Sequence, residues 1–125
     1  MVTWTLDDIP WDKFDPARVD PEVLRLAKAA SVVEHNGRDY ARYLMEVFPD
    51  DLDFHVVARQ WAVEEVQHGQ ALARWAKLAD PNFDFDKAFA DFSSQIKLPT
   101  GVDASVRGSR VGELIARCIV EVGTS

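Results

Sequence analysis

The sequence predicts an all-α protein, a bundle of antiparallel helices, and two observations support this prediction. Apolar residues recur at alternating steps of four and three on both sides of Pro49, which is the spacing of a helix face that packs against another helix. On the second of these faces, Glu65 and His68 occupy two adjacent positions that should be apolar. A buried carboxylate beside a buried imidazole is unfavourable unless a partner compensates both groups. The sequence therefore predicts a binding site inside the bundle.

Composition and charge exclude several classes of function. The chain has 125 residues, of which 47% are hydrophobic, so one domain spanning residues 1–125 is expected. The formal net charge of -7 argues against nucleic-acid binding and against an anionic membrane surface. No apolar run approaches the roughly 18 residues of a transmembrane helix. A single cysteine and the lack of a leader-like N-terminus favour a cytoplasmic protein.

Prolines and a capping aspartate define the N-terminal arm and the start of the first helix. Residues 1–20 are predicted to form an extended arm, because prolines interrupt any helix there. Asp20 can cap a helix that has Pro21 in its first turn, and this helix is predicted to run to Phe48. One carboxylate, Glu34, interrupts its packed face. The other positions of that face are apolar or small: Val23, Ala27, Ala30, Gly37, Ala41, Leu44 and Phe48.

A second long helix is predicted to follow the short connection at Pro49–Asp51 and to end near Ala79. A connection this short makes the two helices antiparallel neighbours, so residues 21–79 should form a helical hairpin. Residues equidistant from the turn of a hairpin lie at the same height. The midpoints between Glu34 and each of Glu65 and His68 both fall within the turn. Glu34 is therefore expected to face the other two.

The rest of the chain is predicted to form a crossover and a third helix. Residues 80–102 are rich in phenylalanine and include a stretch with helical spacing, so a short amphipathic helix is expected there. Residues 103–125 are predicted to form the third helix, with Asp103 or Ser109 as its cap. Glu121 lies on the apolar side of this helix. The chain stops soon after Glu121, so we expect a truncated third helix and an incomplete bundle.

The polar residues around these faces are not expected to be ligands. Glu113 lies between Arg110 and Arg117 at spacings that suit surface ion pairs. Glu64 is likewise expected to face solvent, or a side chain that supports a metal ligand. Surface positions are predicted for two histidines and plain packing for three aromatic residues: His35 and His55, then Tyr40, Tyr43 and Trp61.

The second helix resembles a known metal-binding helix. The segment Trp61–Leu72 has the pattern W-x-x-E-E-x-x-H-G-x-x-L, which is similar to the first Glu-x-x-His helix of the acyl carrier protein desaturases. Its separation from Glu34 is similar to the spacing in rubrerythrins and other ferritin-like proteins. In that superfamily a four-helix bundle supplies Glu, Glu-x-x-His, Glu and Glu-x-x-His to two irons. The resemblance implies four metal ligands in this chain: Glu34, Glu65 (bridging), His68 and Glu121.

The resemblance implies a di-iron carboxylate protein, with manganese as the alternative metal, that uses dioxygen or peroxide and an electron donor as an oxidoreductase. Two other functions are open: an iron-oxidising or storage protein, and a metal-free helical interaction module with a buried polar pair. The second Glu-x-x-His is absent from this chain. Residues beyond Ser125 or a homodimer of two hairpins could supply it. We favour the first route, because a dimer of hairpins would not need Glu121.

Overall fold

The computed structural model describes residues 4–99, 101 and 104–124, and the regular structure in this part of the chain is entirely helical. The all-α prediction is therefore confirmed. Within the same residues, each helix is too short or too polar to cross a membrane. The order is three 3-10 turns and five α-helices: Leu6–Asp8, Trp11–Lys13 and Pro16–Arg18, then α1 (Pro21–His35), α2 (Gly37–Val47), α3 (Leu52–Ala79), α4 (Phe85–Gln95) and α5 (Arg110–Thr124).

The first predicted helix is interrupted at Asn36, which separates α1 from α2. The Asp20 carboxylate begins α1 by accepting hydrogen bonds from the backbone N–H groups of Glu22 and Val23, at 2.8 and 3.2 Å. Asn36 keeps a right-handed helical backbone, with φ -71° and ψ -10°, but Gly37 follows it. Asparagine and glycine are both weak helix formers, so the hydrogen-bond ladder breaks locally here. The prediction of one unbroken helix to Phe48 was wrong at this point.

The long helix α3 runs antiparallel to α1 and α2 and contacts both. Asp51 caps it by accepting a hydrogen bond from the Phe54 N–H at 2.9 Å. His55 Nε2 lies 2.6 Å from the Phe48 carbonyl oxygen, so His55 joins the start of α3 to the end of α2. His55, for which a surface position was predicted, is partly buried by this contact. At the far end of the hairpin, Lys28 Nζ lies 2.6 Å from the Asp80 carboxylate.

The helices of the hairpin approach closely where their residues are small. A Cβ atom added at Gly69 would lie 2.8 Å from both the Ser31 carbonyl oxygen and the His35 backbone nitrogen. Any side chain at position 69 would push α1 and α3 apart, so this glycine sets their separation. The apolar core lies near the turn of the hairpin. Its members are Tyr43, Leu44, Val47 and Phe48, with Tyr40, Phe54 and Trp61 packed against them.

The predicted crossover contains α4, which Asp84 caps through the Lys87 backbone N–H at 3.0 Å. The third predicted helix is α5, and Ser109 caps it by accepting a hydrogen bond from the Gly112 N–H at 3.0 Å. The alternative cap, Asp103, lies outside the described residues. Several large apolar side chains of α5 are exposed: Val111, Leu114, Ile115, Ile119, Val120 and Val122.

Candidate metal centre

Three of the four predicted ligands come together across the hairpin. Glu34 is near the end of α1, while Glu65 and His68 are one turn apart in the middle of α3. His68 Nδ1 lies 3.6 Å from Glu34 Oε2 and 3.5 Å from Glu65 Oε1. Single ligand atoms from the three residues all lie within 4.8 Å of one another. Both carboxylates and one imidazole nitrogen therefore face a common point.

The three side chains are not equally exposed. Glu65 is the most enclosed, with 14% of its side chain accessible, compared with 28% for Glu34 and 44% for His68. The cluster therefore opens to solvent on the side of His68.

Glu65 occupies its position because Gly37 has no side chain. A Cβ atom at position 37 would lie 2.5 Å from the Glu65 Cβ and 2.9 Å from its Cγ. Carbon atoms pack at about 3.5 to 4.0 Å, so no larger residue fits there without a shift. The break after Asn36 brings the α2 backbone to this point. The helix interruption and the placement of the most buried carboxylate are thus parts of one local arrangement.

The electrostatics of the cluster favour a cation. Burial raises the pKa of the Glu65 carboxyl to about 8, and a hydrogen bond with Glu34 and the charges of Glu34 and Glu121 act in the same direction. The Arg117 guanidinium opposes these effects. Near neutral pH, Glu65 therefore holds a proton among other carboxylates. A metal ion placed between the carboxylates would relieve the same repulsion and displace that proton.

The donor set fits a first-row transition metal. Two carboxylates and one neutral imidazole are the ligands that iron and manganese accept in proteins. Three donors leave further coordination positions for water, substrate or another side chain. The three residues could therefore hold one metal ion.

The fourth predicted ligand, Glu121, lies outside this three-residue cluster. Its Oε1 atom is 3.3 Å from Arg117 Nε on the same helix. Glu121 nevertheless lines the same cleft as Glu34 and Glu65, and its charge contributes to the raised pKa of Glu65. The structure therefore places Glu121 beside the cluster, in contact with an arginine.

This cleft has a volume of about 330 Å³ and lies between the hairpin, the end of the crossover and α5. Glu34 and Glu65 line it. Tyr40, Trp61 and Arg117 line it too, and the guanidinium carbon of Arg117 lies 4.6 Å from the centre of the Tyr40 ring. The candidate ligands are therefore next to a space large enough for a small molecule.

Glu113 is buried, contrary to the predicted surface position. It has 0% of its surface exposed and accepts hydrogen bonds from Tyr40 Oη at 2.5 Å, Tyr43 Oη at 2.8 Å and Ser105 Oγ at 2.6 Å. Two tyrosine hydroxyls buried under α5 need an acceptor, and the carboxylate at 113 supplies it. The predicted partners pair elsewhere: Arg110 with Asp50, and Arg117 with Glu121.

The Glu113 network changes the acidity of its members. Burial raises the pKa of the Glu113 carboxyl, but the hydrogen bonds from Ser105, Tyr40 and Tyr43 outweigh burial and bring that pKa below its ordinary value. Burial also raises the pKa of Tyr40 to about 12, assisted by its hydrogen bond to Glu113. Tyr40 thus stays a phenol at physiological pH and connects a buried carboxylate to the cleft.

The N-terminal arm covers the outer side of His68. The Trp4 ring stacks on the His68 ring, with a centroid distance of 6.0 Å and an interplanar angle of 9°. The side chain of Gln67 donates a hydrogen bond to the Trp4 carbonyl oxygen at 2.6 Å and holds this residue in place. Sequence spacing gave no indication of the stack, because Trp4 lies outside every helical pattern.

His35 and Glu64 are the sequence neighbours of the two candidate carboxylate ligands. The prediction of a surface position was wrong for His35, whose ring packs edge-on against Phe85 and Phe89 of α4 at 5.2 and 4.8 Å. Its Nδ1 atom is buried and makes no hydrogen bond to the described residues, and burial lowers the pKa of His35. Glu64 accepts a hydrogen bond from Gln60 at 3.0 Å on the exposed side of α3.

Comparison of the chain with protein-family models, with curated proteins and with solved structures gives no significant match. The class of site is therefore defined by the side chains that could bind a metal ion. It is a carboxylate and imidazole cluster on a helical hairpin, beside a cleft.

Proposed function

We propose that this protein is an iron or manganese carboxylate protein of the ferritin-like type and acts as an oxygen- or peroxide-dependent oxidoreductase. The observation that supports the proposal is the convergence of Glu34, Glu65 and His68 within 4.8 Å from two antiparallel helices. Glu65 is also enclosed, and burial among other carboxylates raises its pKa to about 8, which favours a cation beside it.

Each residue has a distinct role in the proposed centre. Glu65 would bind from α3 and Glu34 from α1, and the resemblance to ferritin-like proteins would make Glu65 the bridging carboxylate. His68 would bind through Nδ1, the ring nitrogen that faces both carboxylates. Glu121 would become a fourth ligand after leaving Arg117, from which it is 3.3 Å away. The metal would supply the redox chemistry toward dioxygen or peroxide.

One observation favours a second candidate function, a metal-free interaction module. The hydrogen bond between Glu65 and Glu34 satisfies a protonated carboxyl without any metal, and such a buried polar group can set the register of two helices. In that case the cluster would stabilise the pairing of α1 with α3. Metal binding distinguishes the two candidates directly.

The test is the metal content of protein purified without added metal, followed by anaerobic titration with Fe²⁺ and with Mn²⁺. We expect tight binding that Glu65→Gln and His68→Ala weaken by more than about tenfold, the smallest effect typical of losing an outer-shell partner. The matched control is Glu64→Gln, which removes the neighbouring carboxylate on the exposed side of α3. Equal affinity in all four proteins, or no binding at all, would reject the metal centre.

Activity separates turnover from storage. We expect Fe²⁺-loaded protein to consume dioxygen or peroxide while the number of irons per chain stays fixed, and Glu65→Gln to abolish this consumption. A storage protein would instead accumulate many irons per chain as oxidation proceeds. Measuring iron content and oxidant consumption on the same samples gives both results.

A further inference from the structure

We propose that the cleft beside Glu65 binds a small organic monocarboxylate, an acid with an apolar chain or ring, as substrate of the centre. The cleft shares Glu34 and Glu65 with the candidate metal site, so a molecule held there would lie next to a bound metal. The assignment as substrate rests on the proposed function. The Arg117 guanidinium and the apolar lining belong to the cleft itself, whereas the charge balance described below also counts a bound metal ion.

The first support is the apolar lining of the cleft. Phe92 of α4 and Ile96 and Leu98 of the following segment line the cleft, together with Val33 of α1 and Val120 of α5. The crossover therefore covers the site as well as packing on the hairpin. A volume of about 330 Å³ is at the lower end of the range typical of small-molecule pockets. An apolar wall of this kind favours an organic ligand over inorganic phosphate.

The second support is a cation among the lining residues of the cleft. The guanidinium carbon of Arg117 lies 4.6 Å from the centre of the Tyr40 ring and 5.6 Å from that of Trp61. Ring faces position this guanidinium without using its N–H donors. Its buried Nε makes no aligned hydrogen bond within the described part of the chain, although the Glu121 carboxylate is 3.3 Å away. Arg117 therefore retains donor capacity for an incoming oxyanion.

The third support is charge balance. The cleft contains three carboxylates, Glu34, Glu65 and Glu121, and two arginines, Arg107 and Arg117. With one divalent cation bound to the ionised carboxylates, four positive charges face three negative charges. One carboxylate on the ligand restores neutrality, and a second metal ion would increase the need for an anion. A ligand with an ammonium group would add to the excess positive charge of the metal-loaded cleft and would be repelled.

The test uses isothermal titration calorimetry of three probes of one shape: hexanoate, hexanamide and hexylammonium. Each is titrated into metal-free and Mn²⁺-loaded protein. The variants are Arg117→Gln and Arg107→Gln, and the matched control is Arg59→Gln, an exposed arginine of α3 that does not line the cleft. Thermal melting of each variant checks that it folds. Inorganic phosphate serves as the competing anion.

We expect hexanoate to bind Mn²⁺-loaded protein at least about tenfold more tightly than hexanamide, as a charged hydrogen bond allows. Arg117→Gln should remove this preference, and Arg59→Gln should keep it. Equal binding of hexanoate and hexanamide, preferred binding of hexylammonium, or competition by phosphate at equal strength would overturn the inference. Should Arg117→Gln fail to fold, Arg107→Gln decides, and an unchanged preference in that variant also overturns it.

The two proposals can fail independently. Loss of the hexanoate preference with intact Mn²⁺ binding rejects the carboxylate ligand and leaves the metal centre in place. Absence of Mn²⁺ and Fe²⁺ binding together with a hexanoate preference in the metal-free protein rejects the proposed redox function and leaves the cleft as a carboxylate site.

Discussion

Gly37 of α2 lies directly against Glu65 of α3, so closely that a Cβ atom at position 37 would be 2.5 Å from the Glu65 Cβ. The position of the most enclosed candidate ligand therefore depends on the absence of a side chain on the facing helix. A glycine in a helix usually costs about 1 kcal/mol relative to alanine. At position 37 this cost is offset by the space that glycine leaves for Glu65 beside Glu34 and His68.

Gly37→Ala should weaken metal binding and destabilise the fold at the same time. Overpacking costs about 1 to 3 kcal/mol, and the better helix propensity of alanine offsets about 1 kcal/mol of it. We expect a net loss of up to about 2 kcal/mol in the free energy of unfolding, measured by urea denaturation, with weaker Mn²⁺ binding in titration.

Gly123→Ala is the matched control for this change. A Cβ atom at Gly123 would meet nothing within 4 Å, and this glycine also lies in a helix. It should gain up to about 1 kcal/mol from helix propensity and keep its metal affinity. Unchanged metal binding in Gly37→Ala would contradict the role of the close contact.

Glu65 should make the metal-free protein less stable as the pH rises from about 4.5 to about 8, against the opposite effect of His35, whose pKa is lowered by burial. The Glu65 carboxyl has an ordinary pKa of 4.5 and a folded-state pKa of about 8. Below 4.5 the carboxyl is protonated in both states and has no effect. Between the two values the unfolded chain ionises while the folded chain keeps its proton, so unfolding becomes more favourable, and above 8 the penalty is complete.

Glu65→Gln should remove this pH dependence and stabilise the metal-free protein at neutral pH, by about 1 to 3 kcal/mol. Chemical denaturation at a series of pH values measures the effect. Glu64→Gln, which changes a carboxylate on the exposed side of the same helix, should leave the pH profile close to that of the unchanged protein. A Glu65→Gln protein that is less stable than the parent at neutral pH would refute the raised pKa.

Metal binding should release protons near neutral pH. The metal needs ionised Glu65, whose pKa of about 8 means that the carboxyl is mostly protonated at pH 7. Affinity for Mn²⁺ should therefore rise with pH until about pH 8 and then level off. Calorimetry in buffers of different ionisation enthalpy counts the released protons. No proton release at pH 7 would place the ion away from Glu65.

Glu113→Gln should loosen α5 from the hairpin. The amide offers one acceptor oxygen where the carboxylate accepts three hydroxyl hydrogen bonds, so buried hydroxyls are left poorly satisfied. We expect a loss of about 2 to 3 kcal/mol in the free energy of unfolding and a lower pKa for Tyr40, because the negative charge beside its hydroxyl is gone.

Urea denaturation and absorbance titration of the tyrosines measure the two effects of Glu113→Gln. The matched control is Glu22→Gln, which removes an exposed carboxylate that pairs with Arg25 on α1. An exposed ion pair contributes little, so this change should alter the free energy of unfolding by less than about 1 kcal/mol. A Glu113→Gln protein as stable as this control would contradict the network.

The sequence was informative wherever spacing along the chain decides the outcome. The hairpin, its turn and the convergence of Glu34 with the Glu65–His68 pair depend on helical periodicity and on equal distances from the turn. The position of Glu113 could not be predicted in this way. It is buried because Tyr40 and Tyr43, about seventy residues earlier, present hydroxyls to it, and helical spacing does not contain that information.

The break at Asn36 and the enclosure of His35 have similar explanations. Both depend on contacts between elements that are distant in sequence: Gly37 against Glu65, and His35 against the rings of α4. Periodicity places Glu121 on the apolar side of α5, but the choice between a metal and Arg117 as its partner depends on how α5 lies over the hairpin. These features follow from tertiary packing.

The stacking of Trp4 on His68 gives the candidate centre an optical signal of its own. An indole ring 6.0 Å from the imidazole lies within the range where a bound paramagnetic ion quenches fluorescence. Three other tryptophans contribute background: Trp11, Trp61 and Trp75. Replacing Trp4 with phenylalanine would keep an aromatic ring over the histidine and remove the emitter. The occupancy of the site can thus be followed in dilute solution without adding any label.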